Sequence, residues 1–431
     1  MTAEPTPAGH LNERLHLVAD QFSFPTSLTF DTTGQIYVAE SGLPFGGAPP
    51  GGRVWRLESN GARTLLAEGL HPPVNGLTYY DGALYISEGG DPAQITRLGL
   101  DGQRTIILKD LPGPGNYHTN MVAFGPDGYL YFSQGAMTNT GIVGLDAYEL
   151  GWLRRLPHAH DLPGIAIELA GVNVTTPNPL DAAPDAQTTT GAFAPFGTAT
   201  TAGQRIAAHL PCTAAVMRCR PDGSGLELVA WGLRNAYGLG FLPDGRLLAL
   251  DQGADDRGSR PVGNVPDLLY EVRPGAWYGW PDFIGGDPIT DEQYQPTRGP
   301  APTFVLANHH ELPPAERPLL RFSPHAAAVK FDVAPATLSA WAGNLFVALF
   351  GDEAPMTAPV GPRVGRAVAR IDPSDWSLHP FLGEPLLRPM DVRFDAAGAA
   401  LYILDFGDFE MSAAGVVARA QTGKLWRLDL G

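Results

Sequence analysis

The chain repeats one phrase six times: a run of alternating apolar residues, a turn of the Pro-Asp-Gly type, and a second alternating run that closes near a polar residue and a glycine. It reads PTSLTFDTTGQIYVAESG from Pro25, VNGLTYYDGALYISEGG from Val74 and NMVAFGPDGYLYFSQG from Asn120. It returns as AYGLGFLPDGRLLALDQG from Ala236 and PMDVRFDAAGAALYILDFG from Pro389, with a longer-turned version, HAAAVKFDVAPATLSAWAGNLFVALFG, from His325. Alternation with period two puts successive side chains on opposite faces of a strand, and the glycine or aspartate tolerates the positive φ of a tight turn, so each phrase encodes a hairpin. A third strand follows each copy, in GRVWRLESNG, QITRLGLDG, AAVMRCRPDG, LLYEVRPG, AVARIDP and GKLWRLDL. Repeats of about forty residues made of three or four short strands predict propeller blades. The expected fold is all-β, a single six-bladed β-propeller over residues 1–431. LHLVADQ from Leu15 is expected to close the ring as an outer strand of the last blade.

A chain of 431 residues exceeds the usual single domain, but each blade of a propeller brings its own small core, so length does not force a second domain. Two stretches break the rhythm, 142–203 and 281–320. The first holds one expected helix, GLDAYELGWLRRL, and a Pro/Thr/Ala-rich segment; the second is rich in Pro and His. Loops of this length inside a compact domain are commonly functional, and both are expected to lie over the channel mouth as a lid.

The formal charge is −16, with the basic residues scattered. That argues against nucleic acid or an anionic membrane as partner and favours a multivalent cation or a neutral, sugar-like molecule. No apolar run approaches the ~20 residues of a membrane span. The start, MTAEPTPAGH, lacks the basic and apolar regions of a signal peptide. Cys212 and Cys219 either pair or are both free. Three lysines, Lys109, Lys330 and Lys424, leave few candidates for Schiff-base chemistry.

In a propeller the first strand of each blade lines the channel. Polar residues close the hairpins at Glu40, Glu88, Gln134, Asp251, Gln252, Asp352 and Asp405, and polar residues open the inner strands at Asn75, His118, Asn120, Arg234, Asn235, His325, Arg388 and Asp391. These two sets are expected at opposite ends of the strands. Their many oxygen atoms suit a hard cation such as Ca²⁺.

The run WGLRNAYGLGFLPDG, then DQGADD, NVPDLLYEV and GAWYGWP, resembles the glucose/sorbosone dehydrogenase family, six-bladed propellers that oxidise aldoses with pyrroloquinoline quinone and calcium. HTNMVAFGPDGYLYFSQG, PHAAAVKF, RPMDVRFD and LYILDFG are weaker echoes in the same order, so the resemblance spans most of residues 20–430. It implies that Arg234, Asn235, Gln252 and Arg388 contact the quinone. It implies that the carbonyls of Gly253, Ala254 and Tyr278 bind calcium, and that His118 is the base taking the sugar's C1 hydroxyl proton. Family members are commonly exported, which favours an exported or periplasmic location; the electron acceptor is left open.

The chain departs from the family pattern in three places. The spacing to FGPDG puts Tyr117 where the family has its base, one residue before His118. LFVALFGDE carries no lysine, and Met390 stands where the family has a second arginine. Two missing cations weaken the charge complement for a tricarboxylate, with Arg363 or Arg366 as the expected stand-in. Two other readings stay open: a calcium-dependent lactonase-type hydrolase with ligands from Glu40, Asn75 and Asp251, and a binding propeller without catalysis.

Overall fold

The computed structural model describes residues 11–58 and 61–430 and forms a six-bladed β-propeller of six four-stranded antiparallel sheets. The first blade runs Pro25–Phe30, Ile36–Glu40, Gly52–Leu57 and Arg63–Leu70; the second runs Val74–Tyr80, Ala83–Glu88, Ala93–Gly99 and Arg104–Leu111. The third is Thr119–Phe124, Leu130–Gln134, Ala215–Cys219 and Glu227–Trp231, and the fourth Ala236–Phe241, Leu247–Asp251, Pro266–Glu271 and Leu320–Pro324. Ala328–Val333, Leu345–Leu349, Ala367–Asp372 and Ser377–Leu382 make the fifth. The sixth joins Pro389–Phe394, Ala400–Asp405 and Gly423–Asp429 to Leu15–Phe22, with Leu15 opposite Leu428. The ring closes through that N-terminal strand, as its sequence predicts.

Burial follows position in the blade. Second strands are sandwiched by neighbouring blades, and ALYISE, LYFSQ, LLALD and LFVAL are buried at every residue. Outermost strands alternate or lie mostly open, as in RTLLAEGL. The cores lie between blades: Tyr37 and Val54 pack with Leu77 and Ile86, and Leu248 and Leu250 with Phe331 and Val347. In the Pro-Asp-Gly turns Asp127 and Asp244 accept the N–H two residues on, and Gly128 and Gly245 take positive φ.

Every innermost strand carries a register shift close to its start, between Pro25 and Ser27, Val74 and Gly76, Thr119 and Val122, Ala236 and Gly238, Ala328 and Lys330, and Pro389 and Asp391. A bulge of this kind re-aims side chains and frees backbone groups. Carboxylates at the ends of second strands hold the residues just before the inner strands: Asp251 accepts from the N–H groups of Arg234 and Asn235, and Asp405 from those of Leu387 and Arg388.

This geometry corrects one expectation. Pro25 pairs with Glu40, Val74 with Glu88, Thr119 with Gln134, Ala236 with Asp251 and Pro389 with Asp405. In an antiparallel hairpin the start of one strand faces the end of the next, so the two polar sets share one end of the ring.

Lys330, on the innermost strand of the fifth blade, is fully buried and donates to the carbonyls of Thr26 and Asn75, in the first and second blades. It therefore reaches across the ring to the first and second blades. Burial pushes its amine down to about 8.

The segment 135–214 lies between the second and third strands of the third blade and holds two short helices, Leu145–Glu149 and Trp152–Arg155, in place of one. Gly151, at a φ of +83°, separates them. Residues 272–319 link the third and fourth strands of the fourth blade. Cys212 and Cys219 are free, buried thiols, both pushed up to about 12 by burial. No helix among the described residues is long and apolar enough to cross a membrane.

Candidate functional site

A cavity of about 310 Å³ opens on the axis at the end of the ring where the inner strands begin, a size within the usual range for small-molecule sites. Its two walls differ. The second, third and fourth blades contribute Asn75, Tyr117, His118, Asn120, Arg234, Asn235 and Gln252. The fifth, sixth and first contribute Val329, Phe350, Met390, Phe406, Phe409 and Phe45.

Amides run across the polar wall in a chain. Asn75 donates to Asn120 (3.2 Å), Asn120 to Asn235 (2.8 Å) and Asn235 to Gln252 (2.8 Å). Each inner strand thus fixes the amide orientation of the next, and the chain presents donors and acceptors of no net charge.

Beside it stands a charged cluster. Arg234 meets Asp255 at 2.9 Å, and Arg257 meets the same carboxylate oxygen at 3.1 Å. Tyr117 donates to it at 2.9 Å and lies under the Arg234 guanidinium, 4.1 Å from its ring centre. Burial works against ionisation of Asp255, but the two guanidiniums hold its carboxyl below the usual range. Arg234 also donates to the carbonyls of Asn139, Gln252 and Gly253 and to the side chains of Tyr117 and Asn139. Its fork is fully occupied within the protein.

His118 lines the cavity half-buried, with no hydrogen bond to its ring among the described residues. Burial, with a contribution from Arg155, pushes it down to about 4, so the imidazole is neutral with a free lone pair at pH 7. Tyr117, the alternative by spacing, lines the same cavity, but its hydroxyl is tied to Asp255 and burial raises it. Glu353, also in the lining, is raised by burial, and Asp267 is pushed up to about 6 by burial against two backbone N–H donors.

Five of the residues implied by the resemblance meet here: His118, Arg234, Asn235, Gln252 and Gly253. A second cavity of about 30 Å³ adjoins the first, sharing Arg234, Gln252 and Gly253, and brings Gly253 together with Ala254 and Tyr278. Arg388 stands outside both. It is buried and donates to the carbonyls of Phe350, Gly351, Asp352 and Phe409 and to Glu410. Arg366 and Arg363 pair with Glu410 rather than reaching the cavity, so neither stands in for the missing lysine here.

Of the expected lid, the first insert reaches the cavity through Leu150, whereas no residue of 272–319 lines it. Glu40, Asn75 and Asp251 do not converge: Glu40 accepts from Ser23, Asp251 is held by backbone N–H groups, and only Asn75 lines the main cavity. Among the described residues no group of three or more His, Cys, Asp or Glu side chains is placed to hold a metal.

Asp255, Arg257 and Glu353 were not singled out by sequence reasoning. The charged run ADDRGSR from Ala254 was the available signal for the first two, since it places charges just past the end of a second strand, hence at the mouth.

Neither a scan against protein-family profiles nor a search of curated proteins gives a match. Among solved structures, the chain is similar to the PQQ-bound form of an aldose sugar dehydrogenase from Streptomyces coelicolor, with 17% identity, 96% of each chain covered and a TM-score of 0.56. It is also similar to a putative oxidoreductase (glucose dehydrogenase) from Thermus thermophilus, with 18% identity, 96% and 99% covered and a TM-score of 0.57. A third is the apo form of the soluble aldose sugar dehydrogenase of Escherichia coli, with 13% identity, 97% and 99% covered and a TM-score of 0.55. At these identities the likeness is one of fold, and it extends over almost the whole of each chain.

Proposed function

We propose that this propeller is an oxidoreductase that oxidises an aldose or related sugar, using pyrroloquinoline quinone and calcium at the axial mouth. The observation that carries the reading is the neutral, unpartnered imidazole of His118 facing a cavity lined by a chain of amides. A neutral polyol matches such a lining, because amides both donate to and accept from hydroxyls without a charge to desolvate.

The residues present fit a planar, anionic group beside a cation. The Gly253 carbonyl accepts from the Arg234 guanidinium, so that donor would have to move away for the oxygen to bind calcium. Two guanidiniums, those of Arg234 and Arg257, stand at the carboxylate of Asp255. Asn235 and Gln252 would face the quinone with their amides, and Gly253, Ala254 and Tyr278 would offer oxygen to calcium. When bound, the pair would supply a polarised carbonyl able to accept hydride from the sugar.

The protein's own part is then defined. His118 accepts the proton of the hydroxyl being oxidised, its lone pair free for the purpose. The amides of Asn75 and Asn120 orient the remaining hydroxyls. Phe350, Phe406 and Phe409 exclude water from the facing wall, which strengthens every polar interaction inside.

The test is reconstitution: protein, quinone, Ca²⁺, a dye acceptor and a panel of aldoses. Sugar-dependent dye reduction that needs both quinone and Ca²⁺ is expected. Dye left oxidised with every sugar, together with an unshifted quinone spectrum, would overturn the reading and leave a sugar-binding propeller.

A further inference from the structure

Arg257 is unlike the other buried arginines of this protein. Arg260 spends its donors on Thr140, Pro281, Asp282 and Thr303, and Arg234 and Arg388 are equally occupied. The side chain of Arg257 is 10% exposed and lines the axial cavity. Its Nε is buried without a hydrogen-bond partner, 3.1 Å from Asp255 but with its N–H not directed at the carboxylate oxygen. Nη2 makes only a 3.4 Å contact with the Tyr117 hydroxyl, and Nη1 has no partner among the described residues. A guanidinium carries five N–H donors in a rigid planar fork, and a buried donor without an acceptor is unfavourable unless something else supplies one.

We propose that Arg257 is a carboxylate-binding residue of the axial cavity, its open fork receiving an acid group of the molecule held there. Charge supports it. Asp255 is shared between the guanidiniums of Arg234 and Arg257, and Asp146, whose charge also acts on Arg257, already accepts from Asn116. Glu353, a further carboxyl of the lining, is raised by burial, and among the described residues neither it nor Asp267, also in the lining, forms an ion pair with Arg257. Shape supports it as well, since a guanidinium fork matches a carboxylate edge through two parallel hydrogen bonds. Arg257 would thereby supply a cation that LFVALFGDE and Met390 do not.

The inference rests on the proposed reading for where the ligand sits. The acid group belongs either to the quinone or to an acidic sugar, and the experiment separates the two. Wild type, Arg257→Gln and Arg257→Lys are titrated calorimetrically with pyrroloquinoline quinone at saturating Ca²⁺, with glucuronate, and with glucose as the uncharged control. Circular dichroism checks that each variant is folded, and Arg257→Lys keeps the charge should the glutamine variant fail to fold. Expected is a loss of about tenfold or more in affinity for a carboxylate-bearing probe in Arg257→Gln, partial recovery in Arg257→Lys, and glucose binding within about twofold throughout. A loss confined to the quinone assigns the acid group to the cofactor; a loss confined to glucuronate assigns it to the substrate. Wild type that binds glucuronate but no quinone would overturn the cofactor reading while leaving Arg257 in place. Carboxylate probes bound equally by wild type and Arg257→Gln, or bound by neither, would overturn the role of Arg257.

Discussion

Asp251 and Asp405 do the same work in the fourth and sixth blades. Each ends a second strand, and each accepts the two backbone N–H groups that immediately precede the innermost strand of its own blade. By that register Asn235 corresponds to Arg388, and Arg234 to Leu387. The side chains then diverge. On the fourth blade Arg234 and Asn235 face the cavity, among the amides and Asp255. On the sixth blade Arg388 turns inward beneath Phe350 and Phe409 and binds four carbonyls and Glu410. One backbone device thus presents side chains to the cavity on one side of the mouth and buries an arginine on the other. The difference lies in what surrounds the side chain, amides in one case and phenylalanines in the other.

The largest effect expected on the polar side is at His118. His118→Asn should lower kcat/KM of the reconstituted protein by about 10²–10⁴-fold while leaving the melting temperature nearly unchanged, because the ring makes no hydrogen bond to lose. The wild-type acid limb should fall near pH 4, where burial has moved the imidazole, rather than near 6.5. Stability follows the same sign. Between about pH 4 and 6.5 the unfolded chain binds the proton and the folded one does not. The stability tied to a neutral His118 is therefore present above 6.5 and lost as pH falls through about 4. A limb at 6.5, shared by the asparagine variant, would remove His118 from the site.

Next in size is Arg388→Ala. It strands buried carbonyls and removes a partner of Glu410, for an expected cost of about 3 kcal/mol. Arg234→Ala should cost less, about 2 kcal/mol, because Asp255 keeps Arg257 and Tyr117. Ligand affinity should order the other way, with the loss at Arg234 and little at Arg388. Urea denaturation and calorimetric titration of the two variants measure both orders. Equal losses of affinity would mean that the two walls are not functionally distinct.

What was legible in the chain follows from how locally each feature is encoded. The hairpins and the closing strand at Leu15 are read from period-two alternation within some twenty residues, and the sheets follow it. The bulges near the start of every inner strand are not, since nothing in starts such as VNGLTYY or PMDVRF marks a register shift. The residues gathered at the mouth were partly visible, because GLRNAYGLGFLPDG and DQGADD are contiguous runs. The pairing of Tyr117, Asp255 and Arg257 joins the third and fourth blades, and the withdrawal of Arg388 depends on Phe350, Phe409 and Glu410 in the fifth and sixth. Such encounters depend on ring geometry, which no local pattern states. Hairpin-closing and strand-opening residues share one end because antiparallel pairing sets the start of one strand against the end of the next, which residue types alone do not state.

The smallest expected effect sharpens the comparison from the architectural side. Asp255 and Glu410 are both carboxylates flanked by arginines, but Asp255 is buried, whereas the Glu410 side chain is 42% exposed. The hydrogen bonds from Arg366, with the charges of Arg388 and Arg363, hold Glu410 down at about 2 against an ordinary 4.5. A carboxyl lowered in this way stabilises the fold above about 4.5, and that contribution is lost as pH falls through about 2. Glu410→Gln should therefore lower stability slightly at pH 7 and approach the wild type as the medium is acidified toward pH 2. Because water and salt reach the exposed carboxylate, the difference should be small and should shrink further in molar salt. Denaturant midpoints of both proteins across that range, at low and high salt, provide the measurement. A gap that stays constant down to pH 2 would mean that Glu410 acts through packing rather than charge, and that Arg388 is held by its carbonyls alone.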